Sequence, residues 1–496
     1  MISRMSERSH RTIYGSTGTL GGVAVGHGEG VENTDLANMR RVGLVIFAVT
    51  ILGAFVLAES IEGFIGFAVV LAVAASPFFV WTRSGTTQLP ILPASILFYL
   101  PSYANAGLSG NVGNYTRQEV LVGELTVALF LCAAVLAWFV MASRKPLRIV
   151  ERDHGLAMDA RLRQVMLAAL FIGMVFDVGA QGGWWGWMGT AYGTFRTCAG
   201  SATLAGCFLY GAVLGMRRFS STERATGGVL VSAILMIETS SLLLYAAILN
   251  FIAVCLGYFL VAKKIPWTAV VVGLVIAMTL QAAKSQMRAE HWNYGSQSVS
   301  LSDIPSLMTE WFDAGVGNLL NGGQTNQQSL ADRASLLPNL LLVQKSSPQP
   351  VPYLDGQTYM NFWKMVVPRF LAPDKIISQS NLALLSVHYR LQTIDQTTTT
   401  TISWGLVSEA YANFGYMGVV LAGLAFGGLA GWLTSLTVGA PTISLRGFIG
   451  LASMIVLIQS VAYDFSYMLL NLIQSIVAMC LLFAAIDIFT RRGRNA

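Results

Sequence analysis

Long apolar runs separated by short polar connections make up most of the sequence from residue 42 onwards. A helix needs roughly 20 predominantly apolar residues to cross about 30 Å of hydrocarbon, and most of the runs approach that length. The clear candidates for membrane spans are 42–58, 63–82, 89–105, 121–142, 164–182, 197–216, 266–283, 413–436, 447–463 and 466–490. The pattern therefore predicts an all-α, polytopic membrane protein.

The apolar stretch 229–262 is too long for one crossing. At 1.5 Å per residue it would reach about 50 Å as a single helix. A polar interruption from Glu238 to Ser241 lies within it. We expect this interruption to divide the stretch into two shorter spans, which brings the predicted total to about twelve transmembrane helices.

The positions of the basic residues predict the orientation of the chain. Most of the 31 lysines and arginines fall in the N-terminal segment, in alternate short connections and at the C-terminus. With twelve spans these segments share one side of the membrane, and only Arg117 and Arg196 remain in short connections on the other. Because short cytoplasmic loops carry an excess of Lys and Arg, we expect both termini in the cytoplasm and the chain in the bacterial inner membrane.

The same pattern divides the chain into five parts. They are a flexible cytoplasmic tail at 1–41, a membrane domain of about nine helices at 42–283, a large periplasmic loop at 284–403, about three C-terminal membrane helices at 404–490 and a cytoplasmic tail at 491–496. Within the loop, apolar side chains recur at helical spacing over 304–320 and 359–370. Amphipathic helices of this type can lie at a membrane surface with one face in lipid.

Composition narrows the classes of function. The chain is 54% hydrophobic and only 11% charged, well below the roughly 25% charged residues of a soluble protein. Membrane orientation explains the net charge of +6, which argues against a nucleic-acid partner. The five cysteines lie in or beside apolar runs, and the sequence has no zinc-binding, ATP-binding or dinucleotide-binding motif. No metal site and no cofactor is predicted.

The densest group of unusual residues in the loop is the segment 368–375, PRFLAPDK. Two prolines stiffen its backbone, while Arg369 offers a planar fork and Lys375 a point charge to a phosphate group. Such cations suit a lipid pyrophosphate whose leaving-group charge must be stabilised without a metal. The alternative is that both side chains only anchor the loop to lipid headgroups.

The segment 405–418, GLVSEAYANFGYMG, places one carboxylate where the loop meets the membrane. Glu409 is flanked by small residues that allow neighbouring groups to approach closely. A half-buried carboxylate in this position is suited to act as a general base on a sugar hydroxyl. It is equally suited to a structural pairing with Arg369 or Arg333.

Ionisable residues in or beside the apolar runs are further candidates, because a charge inside a membrane is costly and often functional. Three acids meet this description: Asp177, Glu238 and Asp464. Another polar group follows the span that ends near 283 and either extends that helix into a charged wall or forms a solvated helix end. Its members are Lys284, Arg288, Glu290 and His291.

Several motifs taken together resemble a known family. The chain carries, in order, Asp332-Arg333, YLDGQTY at 353–359, the segment 368–375, and Glu409 within 405–418. This series is similar to that of the Wzy-type oligosaccharide repeat-unit polymerases, which make O-antigen and exopolysaccharide. The resemblance covers roughly 284–430, and elsewhere only the helix-rich layout agrees. Ile376 departs from the pattern, because a proline often follows the lysine.

The resemblance implies a metal-independent, inverting glycosyltransferase that works at the periplasmic face on undecaprenyl-pyrophosphate-linked oligosaccharides. It assigns pyrophosphate binding to four basic residues: Arg369, Arg333, Lys375 and Arg288. It implies that Glu409 or Asp332 orients or deprotonates the acceptor hydroxyl. The partners implied are the lipid-linked substrates in the bilayer, a chain-length regulator and a flippase.

Two other functions remain open. An O-antigen-type ligase would share the layout of many helices and one large outside loop, although the motifs over 353–375 favour the polymerase. A transporter or flippase for lipid-linked oligosaccharide would usually show repeat symmetry and mostly short loops, with broken helices near the midplane. The long loop and its clustered cations favour chemistry at the outer surface instead.

Overall fold

The computed structural model describes residues 29–83, 89–108, 112–142, 160–216, 220–242, 244–262, 264–291, 300–320, 335–367, 380–440 and 444–492. Throughout these ranges the protein consists of helices joined by turns and irregular connections, with no β-strand. The all-α fold class predicted from the apolar pattern is confirmed.

The helices before the long loop are α1 (Glu29–Leu57), α2 (Ile61–Arg83), α3 (Ile91–Ile96), α4 (Asn105–Leu108), α5 (Arg117–Ala142), α6 (Ala160–Gln181), α7 (Tyr192–Met216), α8 (Ser221–Ser240), α9 (Leu244–Ala262) and α10 (Trp267–His291). Those of the loop are α11 (Ile304–Leu320), α12 (Leu337–Ser346), α13 (Gln357–Val366), α14 (Ser380–His388) and α15 (Ile394–Thr399). The last three are α16 (Gly405–Thr437), α17 (Leu445–Gln459) and α18 (Phe465–Arg492). Shorter turns are 3₁₀ at Gly186–Ala191, Leu301–Asp303 and Ser460–Ala462, and π-helical at Leu100–Ala104.

Ten helices in the described ranges are long and apolar enough to cross a membrane. They are α1, α2, α5, α6, α7, α9, α10, α16, α17 and α18. The predicted total of about twelve includes two further stretches, 89–105 and the first half of 229–262, which do not meet that criterion as helices. The protein is therefore a membrane-embedded, all-helical molecule, and the count of twelve spans stays a prediction.

Proline chemistry explains why 89–105 forms short pieces rather than one helix. Pro101 lacks the N–H that would bond to the carbonyl of Leu97, and a proline ring crowds the preceding turn. The chain passes from α3 into a π-helical turn at this point. The stretch is nevertheless part of the core, because Tyr99 and Tyr103 are fully buried within it.

As predicted, the stretch 229–262 is not a single helix. Helix α8 ends at Ser240 and α9 begins at Leu244. Between them Leu242 has a φ of +57°, in the left-handed region that ends a right-handed helix. The polar interruption in the sequence therefore marks a turn between two helices that pack on each other.

Two predicted boundaries differ in the structure. Helix α1 begins at Glu29, so residues 29–41 of the predicted flexible tail are helical, and residues 1–28 lie outside the described part of the chain. Helix α10 continues through His291. The polar group that starts at Lys284 thus extends the membrane helix, which was one of the two alternatives.

The first amphipathic helix of the loop packs on protein. Ile304, Leu307 and Trp311 of α11 are buried, and the indole N–H of Trp311 donates to the carbonyl of Leu280 at 2.7 Å. The apolar stripe that predicted a helix at the membrane surface therefore rests against α10.

Glycines bring α16 close to α5. A Cβ added at Gly423 or Gly427 would collide with the carbonyl oxygen of Phe130 or Ala134, respectively. Small residues permit this close approach of helix backbones in a membrane, where van der Waals packing is a main source of association. Helix α16 also contacts α12, α13 and α17, so its N-terminal end lies among the loop helices.

Candidate functional site

Two acidic side chains are buried close together where α16 and α18 begin. Glu409 lies near the start of α16 and Asp464 immediately precedes α18, and both are fully enclosed. The backbone N–H of Phe465 donates to Oε2 of Glu409 at 2.7 Å, which links Glu409 to the residue next to Asp464. The two carboxyl groups are near enough to interact electrostatically. We name them the acid pair.

The local sequence explains both positions. Gly405 opens α16 with a φ of +75°, and every residue from Gly405 to Asn413 is buried. Asp464 stands at the start of α18, and its Oδ1 accepts a hydrogen bond from the N–H of Tyr467 at 3.0 Å. A side-chain acceptor there satisfies one of the free N–H groups at a helix start.

Asn381 connects the loop to the acid pair. Its side-chain amide donates to Oδ1 of Asp464 at 3.0 Å and to the carbonyl of Thr358 at 2.9 Å. Its own Oδ1 accepts from the amide of Asn361 at 2.9 Å. Helices α13 and α14 are thereby joined to each other and to the start of α18.

Asn413 supports the other acid one turn further along α16. Its amide donates to the carbonyl of Glu409 at 2.8 Å and to the hydroxyl of Thr358 at 2.9 Å. Its Oδ1 accepts from the backbone N–H of Gly356 at 3.0 Å. The hydroxyl of Ser466 also donates to the carbonyl of Thr358, at 2.8 Å. Thr358 is therefore the point where both halves of the cluster meet.

One carboxyl oxygen of each acid has no hydrogen-bond donor among the described residues. Oε1 of Glu409 and Oδ2 of Asp464 are buried and make no hydrogen bond to a described residue. Neither acid forms an ion pair within the described ranges. Buried polar atoms without partners are uncommon in native proteins and call for an explanation. Two such oxygens on neighbouring acids are available to a ligand or to a shared proton.

Burial and the nearby charges affect the ionisation of the groups outside the membrane-spanning helices. Burial raises the pKa of the Asp464 carboxyl. Burial, followed by the repulsion from Glu409 and Asp464, raises the pKa of the Tyr359 hydroxyl. The Tyr359 ring stacks on Phe414 at 6.2 Å between ring centroids. Because two close acids disfavour a double negative charge, the environment favours states of the acid pair in which at least one carboxyl holds a proton.

The structure places the predicted site residues unevenly. Glu409, predicted as a catalytic acid or base, lies at the centre of the cluster. Four other predicted residues lie outside the described part of the chain: Asp332, Arg333, Arg369 and Lys375. Arg288 is described; it lies on α10, where its Nε donates to the carbonyl of Leu242 at 3.1 Å.

The weaker candidates fall into separate groups. Asp464 belongs to the acid pair, whereas Glu238 accepts a hydrogen bond from Asn250 at 2.7 Å, and Asp177 interacts electrostatically with Arg196. One group in the described ranges could hold a metal ion, with ligand atoms within 4.8 Å of one another on exposed side chains. It consists of Glu290, His291 and Glu310. The acid pair is not part of this group.

Sequence reasoning missed the amides and the hydroxyl that hold the acid pair. Asn413 follows Glu409 by four residues, a spacing that places both on one helix face, and this signal could have found it. Thr358 lies within the segment 353–359, but its contact with Asn413 spans 55 residues and the segment assigned it no role. Asn381 carried no signal, because its contact with Asp464 reaches across 83 residues of sequence. Glu124 was also missed; it is fully buried in α5, and both its oxygens lack a hydrogen-bond partner among the described residues.

The fold and the cluster define a membrane-embedded, all-helical protein with a buried acid pair where its later helices meet the long loop. The chain belongs to the family described as Domain of unknown function (DUF8712), whose family model matches residues 202–490. The acid pair and the residues that hold it fall within the matched range. No curated protein and no solved structure matches the chain.

Proposed function

We propose that this protein polymerises undecaprenyl-pyrophosphate-linked oligosaccharide repeat units into O-antigen or exopolysaccharide at the periplasmic face of the inner membrane. It acts as a metal-independent, inverting glycosyltransferase. The observation that carries the proposal is the acid pair, with one uncommitted oxygen on each side chain.

In the proposed reaction, the ionised member of the acid pair takes the proton from a hydroxyl of the acceptor sugar. The hydroxyl oxygen then forms a bond to the anomeric carbon of the growing chain. The bond from that carbon to the lipid pyrophosphate breaks, and the pyrophosphate leaves with the electron pair. A base positioned on the reacting hydroxyl contributes typically 10²–10⁴-fold to the rate.

The proposal assigns the pyrophosphate to Arg369 and Lys375, with Arg333. Support comes from the connectivity of the chain. The segment that carries Arg369 and Lys375 joins α13 to α14, and these two helices supply Asn361 and Asn381 to the cluster. The cations thus belong to a connection whose two flanking helices both contact the acid pair or its supports. Cations at the leaving group would stabilise the charge that develops in the transition state.

The assigned roles of Asp332 and Arg288 rest on the sequence resemblance. Asp332 is proposed as an additional acid that orients the acceptor, and Arg288 as a further pyrophosphate ligand. The proposed partners are a flippase that delivers the lipid-linked units and a chain-length regulator, together with the surrounding lipid bilayer.

The test is the size profile of surface and lipid-linked saccharide in a host that lacks this gene. The host is complemented with wild type, Glu409→Gln, Asp464→Asn or Arg369→Ala. We expect each variant to lose polymer by 10²-fold or more while single repeat units still reach the surface. Glu59→Gln, at an exposed glutamate in the connection between α1 and α2, serves as the matched control and keeps wild-type polymer.

Protein amount in the membrane and the thermal unfolding midpoint accompany each profile, which separates a lost reaction from a lost fold. A stable Glu409→Gln variant that makes normal polymer would exclude Glu409 as the base. Full-length polymer stranded on its carrier lipid in the deletion host would indicate a ligase. Single units trapped on the cytoplasmic face would indicate a flippase.

A further inference from the structure

A groove between α1 and α2 takes no part in the proposed reaction. Its cavity volume is about 400 Å³, within the range of about 300–1,000 Å³ that is usual for small-ligand sites. Its walls are mostly apolar and include Leu44, Phe47, Phe79 and Val80. The groove lies outside the range 202–490 that the family model matches.

Two arginines line the same groove. Arg40 comes from the N-terminal part of α1 and Arg83 is the last residue of α2, so antiparallel helices bring them to the same end. Both lie at or near the end of an apolar span, where the hydrocarbon gives way to headgroups. The one hydroxyl of the groove, that of Ser76, already donates to the carbonyl of Val73 at 2.8 Å. The arginines are therefore the polar groups available to a ligand.

Among the described residues, neither Arg40 nor Arg83 forms an ion pair. Two like charges that face one cavity repel each other unless an anion lies between them. Guanidinium groups bind phosphate oxygens in a bidentate fashion. The end of the groove thus has the charge of a phosphate site.

The apolar part of the groove indicates which class of phosphate compound would fit. Only 6% of the residues in the apolar span of α1 are buried, and α2 is its main packing partner. An apolar channel that continues from a phosphate site into the hydrocarbon region fits an acyl chain. Free phosphate would fill only the arginine end.

We propose that this groove binds one anionic phospholipid, with the phosphate between Arg40 and Arg83 and an acyl chain along Leu44, Phe47 and Phe79. The bound lipid joins α1 to α2 at the membrane end where both arginines lie. This role is independent of the reaction at the acid pair.

Native mass spectrometry of the full chain, released from nanodiscs of phosphatidylglycerol or phosphatidylcholine, tests the proposal. Wild type retains phosphatidylglycerol in preference to phosphatidylcholine. The double variant Arg40→Gln with Arg83→Gln loses this preference by about tenfold or more, because the charge-assisted hydrogen bonds to the lipid phosphate are lost. The double variant Arg40→Lys with Arg83→Lys keeps the charge but not the forks and gives an intermediate preference.

Arg224→Gln is the matched control, because Arg224 is an exposed arginine near the start of α8, a helix end predicted to lie on the same side of the membrane. It retains the wild-type preference. An unchanged preference in the Arg40→Gln, Arg83→Gln variant overturns the proposal. An equal loss in the Arg224→Gln variant also overturns it, since the effect would then be general surface charge. Equal retention of both lipids by wild type also overturns the proposal, because the groove would then not select an anionic headgroup.

Discussion

Glu409 and Asp464 each use one carboxyl oxygen in a structural hydrogen bond and leave the other without a described partner. Their described donors are neutral: backbone N–H groups, the amide of Asn381 and the hydroxyl of Thr358. A buried ionised acid is costly unless it is paired. Neutral donors therefore orient the two acids while leaving their protonation sensitive to pH and to a ligand.

The dependence of stability on pH follows from Asp464. Burial raises the pKa of its carboxyl, so the folded state holds a proton that the unfolded state releases. The free energy of unfolding consequently falls as the pH rises from about 4, the ordinary value for Asp, through the raised value in the fold. Asp464→Asn keeps Oδ1 as an acceptor but cannot ionise, so we expect a smaller slope of the thermal unfolding midpoint between pH 4 and 8.

The control for this measurement is Asp303→Asn, at an exposed acid of the loop, which should keep the wild-type slope. An Asp464→Asn variant with the full wild-type slope would assign the pH dependence to other groups.

At the level of elements, α16 consists of two helical segments, one that carries part of the candidate site and one that packs in the membrane domain. The backbone leaves the helical conformation at Phe414 and at Gly415, whose φ is +59°. A side chain at Gly415 would also approach the hydroxyl of Tyr353 at 2.8 Å. The segment before this kink is fully buried and carries Glu409, and the segment after it packs along α5. The kink lets the segment that carries Glu409 and the segment that packs along α5 run in different directions.

Adjacent glycines in the second segment offer a direct test of the helix packing. A Cβ at Gly427 would collide with the carbonyl of Ala134 in α5, whereas a Cβ at Gly428 would meet nothing within 4 Å. We expect Gly427→Ala to destabilise the protein by about 1–3 kcal/mol through overpacking. We expect Gly428→Ala to be neutral or slightly stabilising, since alanine favours helix. Thermal unfolding of both variants in the same detergent compares them.

Equal unfolding midpoints for these two variants would contradict the close approach of α5 and α16. A loss confined to Gly427→Ala would support it, because the two positions are adjacent glycines of the same helix and receive the same substitution.

For the whole molecule, the acid pair lies where α16 and α18 begin, at the end that connects to the long loop. The basic residues of the short connections predict that this end faces the periplasm. We expect Ser302→Cys, in the loop, to react with a membrane-impermeant maleimide in spheroplasts. Lys264→Cys, in the connection between α9 and α10, should react only after the membrane is permeabilised. Both positions are exposed on the protein surface, so a difference in labelling would reflect the side of the membrane.

Wild type is the background for this labelling, because its five cysteines lie in or beside apolar segments. The reverse pattern of labelling would place the loop in the cytoplasm and remove the proposed reaction from the periplasmic face.

The sequence alone was sufficient for the fold class and for most of the membrane helices. A transmembrane helix is specified locally, because it needs about 20 consecutive apolar residues regardless of which helices pack beside it. The polar interruption that begins at Glu238 was recognisable for the same reason, whereas the continuation of α10 to His291 was one of two alternatives that the sequence left open. Glu409 was also recognisable, as a lone acid among small residues where an apolar run begins.

Only the tertiary structure decided which groups meet. Glu409 and Asp464 come from different helices, and Asn381 reaches Asp464 across 83 residues of sequence. Apolar periodicity predicts that a helix forms and which face it buries, but membrane helices are similarly apolar on many sides, so the order of their packing is not encoded in that pattern. The acid pair therefore depends on long-range packing that no local motif specifies, while the helices that carry it follow from local hydrophobicity.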